Sequence, residues 1–317
     1  MLVTVVIPAY NAERFIEATV GTVLRQTHAE LELLLVDDGS SDRTAEVVGR
    51  LGDERVRVMR IANGGTVAAR NHGLAGARGE LIAFLDHDDA WLEEKLARQI
   101  AVFASEPDAV AVGSLMHYVS DSGRRLGISG EDPRPPDRQE LIRRGALMPV
   151  AMSSIVWRTA VIRRVGEFDP TIPQIDDLDM LTRVMRFGRM SFVAEPLGEH
   201  RIHRGSITTN NYRSQRMGAR FFYARLHARA AGGDLSWDEF EPGYWCDWRA
   251  RHSDRVAYWY RTAGLLAIEG RIPGAIGYAS LAAIASPRYT FVRIRRQLLS
   301  RAARPSLGAS ASRPWLR

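Results

Sequence analysis

The stretch GELIAFLDHDDAW, residues 79 to 91, runs from the apolar residues Leu81 to Leu85 straight into Asp86, His87, Asp88 and Asp89. A short unbroken apolar run of this kind reads as a strand buried on both faces. Bringing like charges together at its end is costly unless a cation or a partner compensates them. Two readings follow. The carboxylates hold a divalent cation, which takes few protein oxygens and fills its shell with water and phosphates. Otherwise they form a solvated acidic turn that caps the next helix. The buried strand before them and Trp91 after them favour the first.

Working outward, the same grammar repeats. Val3 to Ile7, Leu31 to Val36 and Val56 to Arg60 read as strands, and Val110 to Ser114 as a fifth. Between them lie helical patterns. Asn11 is placed to cap one carrying Phe15, Ile16, Val20, Val23 and Leu24, and Asp42 to cap one through Val47, Val48 and Leu51. Asn63-Gly64-Gly65 is a turn before a helix over Thr66 to Ala77, and Trp91 to Phe103 reads as another helix. Alternating strands and helices predict an α/β fold with a mainly parallel sheet. Further on, the Gly-, Pro- and charge-rich residues 121 to 136 read as a mobile loop or domain seam. Met148 to Arg158 reads as a strand at a sheet edge, and IDDLDMLTRVMRFG as a helix with Asp176 and Asp177 at its start. After about residue 212 the pattern is helical and rich in aromatics.

Open parallel sheets bind ligands outside the carboxyl ends of their strands. Here three such ends carry polar residues: Pro8-Ala9-Tyr10-Asn11, Asp37-Asp38-Gly39-Ser40 and the Asp86 to Asp89 quartet. A carboxylate at the second end suits a base N–H or a ribose hydroxyl, although an Asp-Gly turn explains it equally simply. No G-x-G-x-x-G follows the first strand, which argues against a nicotinamide or flavin oxidoreductase. Asp176 and Asp177 are either helix caps or a general base. His203, in HRIHRGS, is either a core histidine or a metal or phosphate contact.

Composition sets the outer bounds. The 317 residues are 45% apolar and 25% charged, enough for one large domain or a domain with an appendage. One cysteine, Cys246, excludes an internal disulfide and a cysteine zinc cluster and fits a reducing compartment. The N-terminus lacks a signal-peptide pattern, and the apolar run Ile272 to Ser286 is short for a membrane span. The net charge is +6, yet the segment after residue 270 holds nine arginines and no acid, so the remainder carries about −3. The basicity belongs to the tail, and a nucleic-acid-binding surface is not implied.

Together, VTVVIPAYNAERFIEATVGTVLRQT, LELLLVDDGSSDRT, NGGTVAARNHGLAGARGELIAFLDHDDAW and IDDLDMLTRV followed by HRIHRGSIT resemble the family 2 glycosyltransferases, inverting enzymes of the GT-A fold. The likeness covers roughly residues 2 to 208. It implies transfer of a sugar from a nucleotide-sugar donor (UDP-, dTDP- or GDP-linked) to a glycan or lipid-linked acceptor, with Mg2+ or Mn2+ as cofactor. Asp38 matches the carboxylate that reads the nucleotide base. Asp86 and Asp88 match a D-x-D motif, Asp86 towards the ribose or sugar and Asp88 as metal ligand. Asp177 matches the catalytic base, with Asp176 where glutamate is more usual. His203 matches a histidine near the diphosphate and metal. Pro8, Ala9, Tyr10, Asn63, Gly64, Arg70 and His87 border the donor, Arg70 as an electrostatic contact.

The resemblance implies a GT-A catalytic domain over residues 1–210, with a nucleotide half (1–115) and an acceptor half (116–210), and a helical region over 211–317. It places the protein in the cytoplasm. Residues 288 to 304 put Phe291, Ile294 and Leu298 on one helical stripe with arginines largely elsewhere, a pattern suited to peripheral contact with the inner face of the plasma membrane or simply to a terminal helix packed on the protein. Competing readings are a non-catalytic GT-A module that binds a glycan or nucleotide, and a nucleotidyltransferase, which would usually carry a glycine-rich loop where Pro8 to Arg14 has no glycine.

Overall fold

The computed structural model describes residues 1–144, 148, 150–172, 174–203, 212–268, 271–292 and 294. They form two compact units, Met1–Cys246 and a second from Asp247 onward.

The first unit is built on one mixed sheet. Strand β1 (Val3–Ala9) leads through helix α1 (Ile16–Leu24) to β2 (Leu31–Asp37), and α2 (Thr44–Gly49) leads to β3 (Val56–Arg60). Helix α3 (Gly65–Gly76) then returns the chain to β4 (Leu81–Phe84) on the other side of β1. These four strands are parallel, in the order β3-β2-β1-β4. Their side chains alternate between two cores, as a period of two requires. Val3, Val5, Ile7, Leu33, Leu35, Leu81 and Ala83 face one core with Ile16, Val20 and Leu96. Val6, Leu34, Val36, Ile82 and Phe84 face the other with Ala69, Leu74 and Leu181. Both faces of β1, β2 and β4 are covered, so these strands read as near-continuous apolar runs, while β3 at the edge is only partly buried.

The remaining strands enlarge the sheet. Strand β5 (Ala90–Trp91) precedes α4 (Lys95–Ser105), and β6 (Ala109–Ser120) follows. Then come β7 (Arg125–Ser129), α5 (Pro136–Arg143), a 3-10 turn (Met152–Ser154), β8 (Val156–Arg158), α6 (Thr159–Val165), α7 (Asp176–Val184) and β9 (Arg189–Ile202). The full order is β3-β2-β1-β4-β8-β6-β9-β5, with β7 on β6. Strands β6 and β9 are parallel, while β5, β7 and β8 run antiparallel to their neighbours. Helices α8 (Tyr212–Ala230) and α9 (Trp237–Cys246) complete the unit. Their Phe221, Phe222, Trp237 and Phe240 pack with Ile172 and Leu178, beside the start of α7.

Several local expectations give way to tertiary contacts. Asn11 does not cap α1. It sits at φ +49° and its Oδ1 accepts the Ser41 amide at 2.9 Å, while α1 begins only at Ile16. Trp91 is not helical: its amide donates to Thr22 Oγ1 and its indole N–H to the Ser153 carbonyl, which holds it in β5 opposite β9. Leu51 lies beyond the end of α2. The expected 148–158 edge strand is the 3-10 turn plus β8, and β8 lies inside the sheet between β4 and β6. The expected 121–136 loop contains β7, a hairpin partner of β6.

Gly73 shows how closely α3 lies on the sheet. A Cβ there would fall 2.2 Å from Val6 Cγ1. Gly73→Ala is therefore expected to destabilise the fold by about 1–3 kcal/mol, as overpacked cores do, and thermal unfolding checks it.

In the second unit, α10 (Trp248–Ile268) packs with α11 (Ile272–Ala285), which buries Ala275 and Ala282 and leaves Ile272, Ile276, Leu281 and Ile284 exposed. No helix of the described residues is long and apolar enough to cross a membrane. Of the amphipathic stretch 288–304, residue 293 and residues 295–304 lie outside the described residues.

Candidate active site

The carboxyl ends of β1, β2 and β4 come together where the strand order turns back at β1, the place where open sheets form a ligand crevice. At the β1 end Pro8 and Ala9 are buried and Tyr10 is exposed. The Ala9 carbonyl accepts the Asp38 amide at 2.8 Å, which joins the first two strand ends.

Asp38 is buried, and its two carboxylate oxygens accept the Gly64 and Gly65 amides, each at 2.8 Å. It thereby seats the N-terminus of α3, a favourable place for a negative charge. Asn63 donates its side-chain N–H to the Asp38 carbonyl at 3.0 Å. Asp38, Asn63 and Gly64, singled out separately in the sequence, thus form one structure. Asp37 serves the same turn: its Oδ1 accepts the Ser40 amide, and Arg60 lies 3.4 Å from its Oδ2.

The third strand end divides its carboxylates among different partners. Asp86 Oδ1 takes Arg70 Nη2 at 3.1 Å. Asp88 Oδ2 lies 2.7 Å from His203 Nε2. Asp89 is buried, with Oδ2 at 3.0 Å from His200 Nδ1 and Oδ1 accepting the Arg201 amide at 2.9 Å. Arg201 also donates from Nε to the Asp88 carbonyl at 3.0 Å, and its guanidinium lies over the Phe15 ring. The backbone beneath is pinned by Thr19, whose hydroxyl lies 2.9 Å from both the His87 and Asp89 carbonyls. The His87 side chain is half-buried.

These environments separate the proton affinities. Burial raises the Asp86 carboxyl, and Asp89 and Asp88 raise it further against the opposing charge of Arg70. Burial also acts on Asp88, but its hydrogen bond to His203 and the neighbouring histidines hold it below the usual carboxylate range. Burial disfavours the His200 imidazolium, yet Asp89 outweighs that and pushes it up to about 9.

From the second half of the unit, α7 brings Asp176 and Asp177. Asp176 Oδ2 is 2.5 Å from Arg70 Nη1. Asp177 has a different environment, with Oδ1 accepting the Leu178 amide at 2.7 Å. Burial and the neighbouring Asp176 push its carboxyl up to about 6, with Arg70 opposing. A carboxylate poised there can take a proton near neutral pH.

Three participants escaped the reading of the sequence: the Asp89–His200 pair, Arg201, and the link from Arg70 to Asp176. The local hint was the H-x-x-H spacing of His200, near the end of β9, and His203 just beyond it. Among the described residues no group of three or more His, Cys, Asp or Glu is arranged to hold a metal ion.

Comparison with known proteins agrees with this architecture. Residues 4–164 match the family model described as "Glycosyl transferase family 2". The chain is 30% identical over 221 residues to the UDP-Glc:alpha-D-GlcNAc-diphosphoundecaprenol beta-1,3-glucosyltransferase WfaP of Escherichia coli, covering 67% of this chain and 82% of that one. The matched regions span 65%, 82% and 84% of the first three curated relatives' own lengths. Among solved structures, S. aureus TarS 1-349 in complex with UDP-GlcNAc superposes with a TM-score of 0.55 at 18% identity, covering 84% of each chain. The mannosyltransferase PcManGT from Pyrobaculum calidifontis, in complex with GDP-Man and Mn2+, superposes with a TM-score of 0.53 at 20% identity, covering 96% of this chain and 81% of that one. The mixed sheet with flanking helices is the GT-A architecture, and the chain belongs to glycosyltransferase family 2.

Proposed function

We propose that this protein transfers a hexose from a nucleoside-diphosphate sugar to an acceptor hydroxyl, with inversion at the anomeric carbon. The observation that carries this reading is the division of labour among the carboxylates. Asp177 is pushed up to about 6, while Asp176 beside it is taken by Arg70. Asp177 is then the group free to accept the proton of the acceptor hydroxyl, whose oxygen attacks the anomeric carbon opposite the departing diphosphate. The glycosidic C–O bond breaks as the new one forms, and no covalent enzyme intermediate is needed.

The donor lies along the three strand ends. Pro8, Ala9, Tyr10, Asp38, Asn63 and Gly64 frame the nucleotide, and Asp86 and His87 border the ribose and sugar, with Arg70 paired to Asp86. Asp88 and His203 fit Mg2+ or Mn2+, since such ions take few protein ligands and the remainder from phosphates and water. The chemistry supplied there is neutralisation of charge on the leaving diphosphate. Residues 1–210 would form the catalytic domain, its nucleotide half (1–115) carrying the donor and its acceptor half (116–210) the base, with 211–317 as a helical appendage. By analogy with WfaP, a glucosyltransferase named for a diphosphoundecaprenol-linked acceptor, the acceptor class is a lipid-linked or cell-envelope glycan.

The test is a panel of UDP-, dTDP- and GDP-sugars with Mn2+, read by release of nucleoside diphosphate and by the anomeric configuration of the product. Binding without release from any donor would leave a non-catalytic module, and retained configuration would remove the role given to Asp177.

An acceptor in the membrane would suit cytoplasmic residence with contact at the inner face. The arginine-rich, acid-free tail and the exposed Ile276 and Ile284 support that reading. Vesicles rich in anionic lipid are expected to retain the full chain at low salt, and a chain ending at residue 287 is expected to bind less. Equal flotation of the two would remove the tail from the proposal.

A further inference from the structure

We infer that Arg70 is a positioning residue that ties the donor-side Asp86 to the acceptor-side Asp176 and thereby sets where Asp177 stands relative to the bound donor. The inference rests on the function proposed above and adds a residue whose role lies in holding the two halves of the site in register.

Arg70 is buried, yet its terminal nitrogens point to carboxylates far apart in the chain: Nη1 to Asp176, 106 positions away, and Nη2 to Asp86, 16 positions away. Burial works against its charge, but Asp176 and Asp86 hold it protonated more firmly than an ordinary arginine. A planar guanidinium can reach in two directions at fixed angles, which a single ammonium cannot do. The helix that carries it is anchored independently. Asp38 takes both amides at its start, and Gly73 lies directly on Val6 of β1.

The next residue makes a second attachment to the same segment. Asn71 donates to the Phe168 carbonyl at 3.0 Å and accepts the Phe168 amide at 2.9 Å. The Phe168 ring in turn packs edge-on against Phe84 of β4 and lies 6.0 Å from the Arg70 guanidinium. Asn71 and Arg70 thus fasten Phe168 and Asp176 onto the donor side at two adjacent points. With both ends of its fork engaged by carboxylates, Arg70 suits a brace better than a direct ligand for phosphate.

The experiment compares Arg70→Lys and Arg70→Met in the full chain. kcat and donor KM are measured, together with calorimetric binding of UDP and GDP in Mn2+ as probes. Misplacing a base by about 1 Å costs on the order of 10²-fold. Arg70→Lys is therefore expected to lower kcat by about 10–100-fold, and Arg70→Met by more. Nucleotide affinity should change by less than about threefold, a scale below that misplacement effect, because the Asp38 framework is untouched. Weakened nucleotide binding with kcat preserved would overturn the inference and make Arg70 a donor contact. So would full activity in Arg70→Lys, which keeps the charge and the fold even if Arg70→Met does not fold.

A readout independent of turnover separates this inference from the proposed reaction. Unfolding of Arg70→Lys, Asp176→Asn and the double variant should be non-additive, because the second change removes a partner already lost. Additive effects would sink the brace whether or not a sugar is transferred.

Discussion

Asp177→Asn is expected to lower kcat by about 10²–10⁴-fold while leaving donor binding nearly intact. The amide keeps the shape of the carboxylate and can still accept the Leu178 N–H, but it cannot take a proton. The pH dependence sharpens the prediction. The wild-type rate should fall as pH drops through about 6, where burial and Asp176 place the Asp177 proton. The sign for stability is opposite to that for activity. The folded protein binds this proton more tightly than the unfolded chain, so the stabilisation is full below the unfolded value and is lost as pH rises through about 6. At pH 7 the ionised carboxylate opposes folding, and Asp177→Asn should therefore unfold at an equal or higher temperature than wild type. Loss of rate without loss of stability distinguishes a base from a packing residue. Asp176→Asn should also be slower, through its contact with Arg70, but less so. If Asp176→Asn is the dead variant and Asp177→Asn retains activity, the two roles are reversed.

Asp88→Ala is expected to lower turnover by at least about 10²-fold, and EDTA to reproduce the loss in the wild type. Asp88 and His203 meet across 115 positions, with both side chains largely buried and Nε2 and Oδ2 2.7 Å apart. Burial alone would favour a protonated carboxyl. The hydrogen bond to His203 and the nearby histidines keep Asp88 ionised instead, the state in which an oxygen donor binds a hard cation. Titration of Mn2+ followed by electron paramagnetic resonance should show binding in the wild type and a loss of affinity in Asp88→Ala. Asp86→Ala should instead weaken donor binding and loosen Arg70, since Asp86 faces Arg70 and not His203. Full activity in EDTA would remove the metal assignment and leave Asp88 as a structural partner of His203.

The first half of the fold was legible because its signals are local. The inner parallel strands β1, β2 and β4 are buried on both faces, so they appear as near-continuous apolar runs such as Leu81 to Leu85. The polar residues that follow mark the carboxyl edge. Asp38, Asp86 and Asp88 could be picked out for that reason, as members of motifs continuous in sequence. Two of the later strands were not legible in the same way. Strand β8 has only three residues, and β9 carries Pro196 and Gly198 in a ladder with register shifts. A proline inside a run ordinarily argues against a strand. Trp91 became a strand residue through hydrogen bonds to Thr22 and Ser153, far from it in the chain.

The amino-acid sequence by itself determined the alternation of elements, the edge of the sheet where carboxylates collect and the family to which the chain belongs. The first two follow from periodicity and strand-end chemistry, and the family from the resemblance of continuous motifs, all properties of neighbouring residues. The tertiary structure alone decided which carboxylate meets which partner: Asp38 the amides of α3, Asp88 His203, Asp89 His200, and Asp86 together with Asp176 the single guanidinium of Arg70. All five of these carboxylates look alike in sequence, each an aspartate in a short acidic run. Asp86, Asp88 and Asp177 acquire different proton affinities because burial and charge act through space, and the charges that matter arrive from residues as many as 115 positions away.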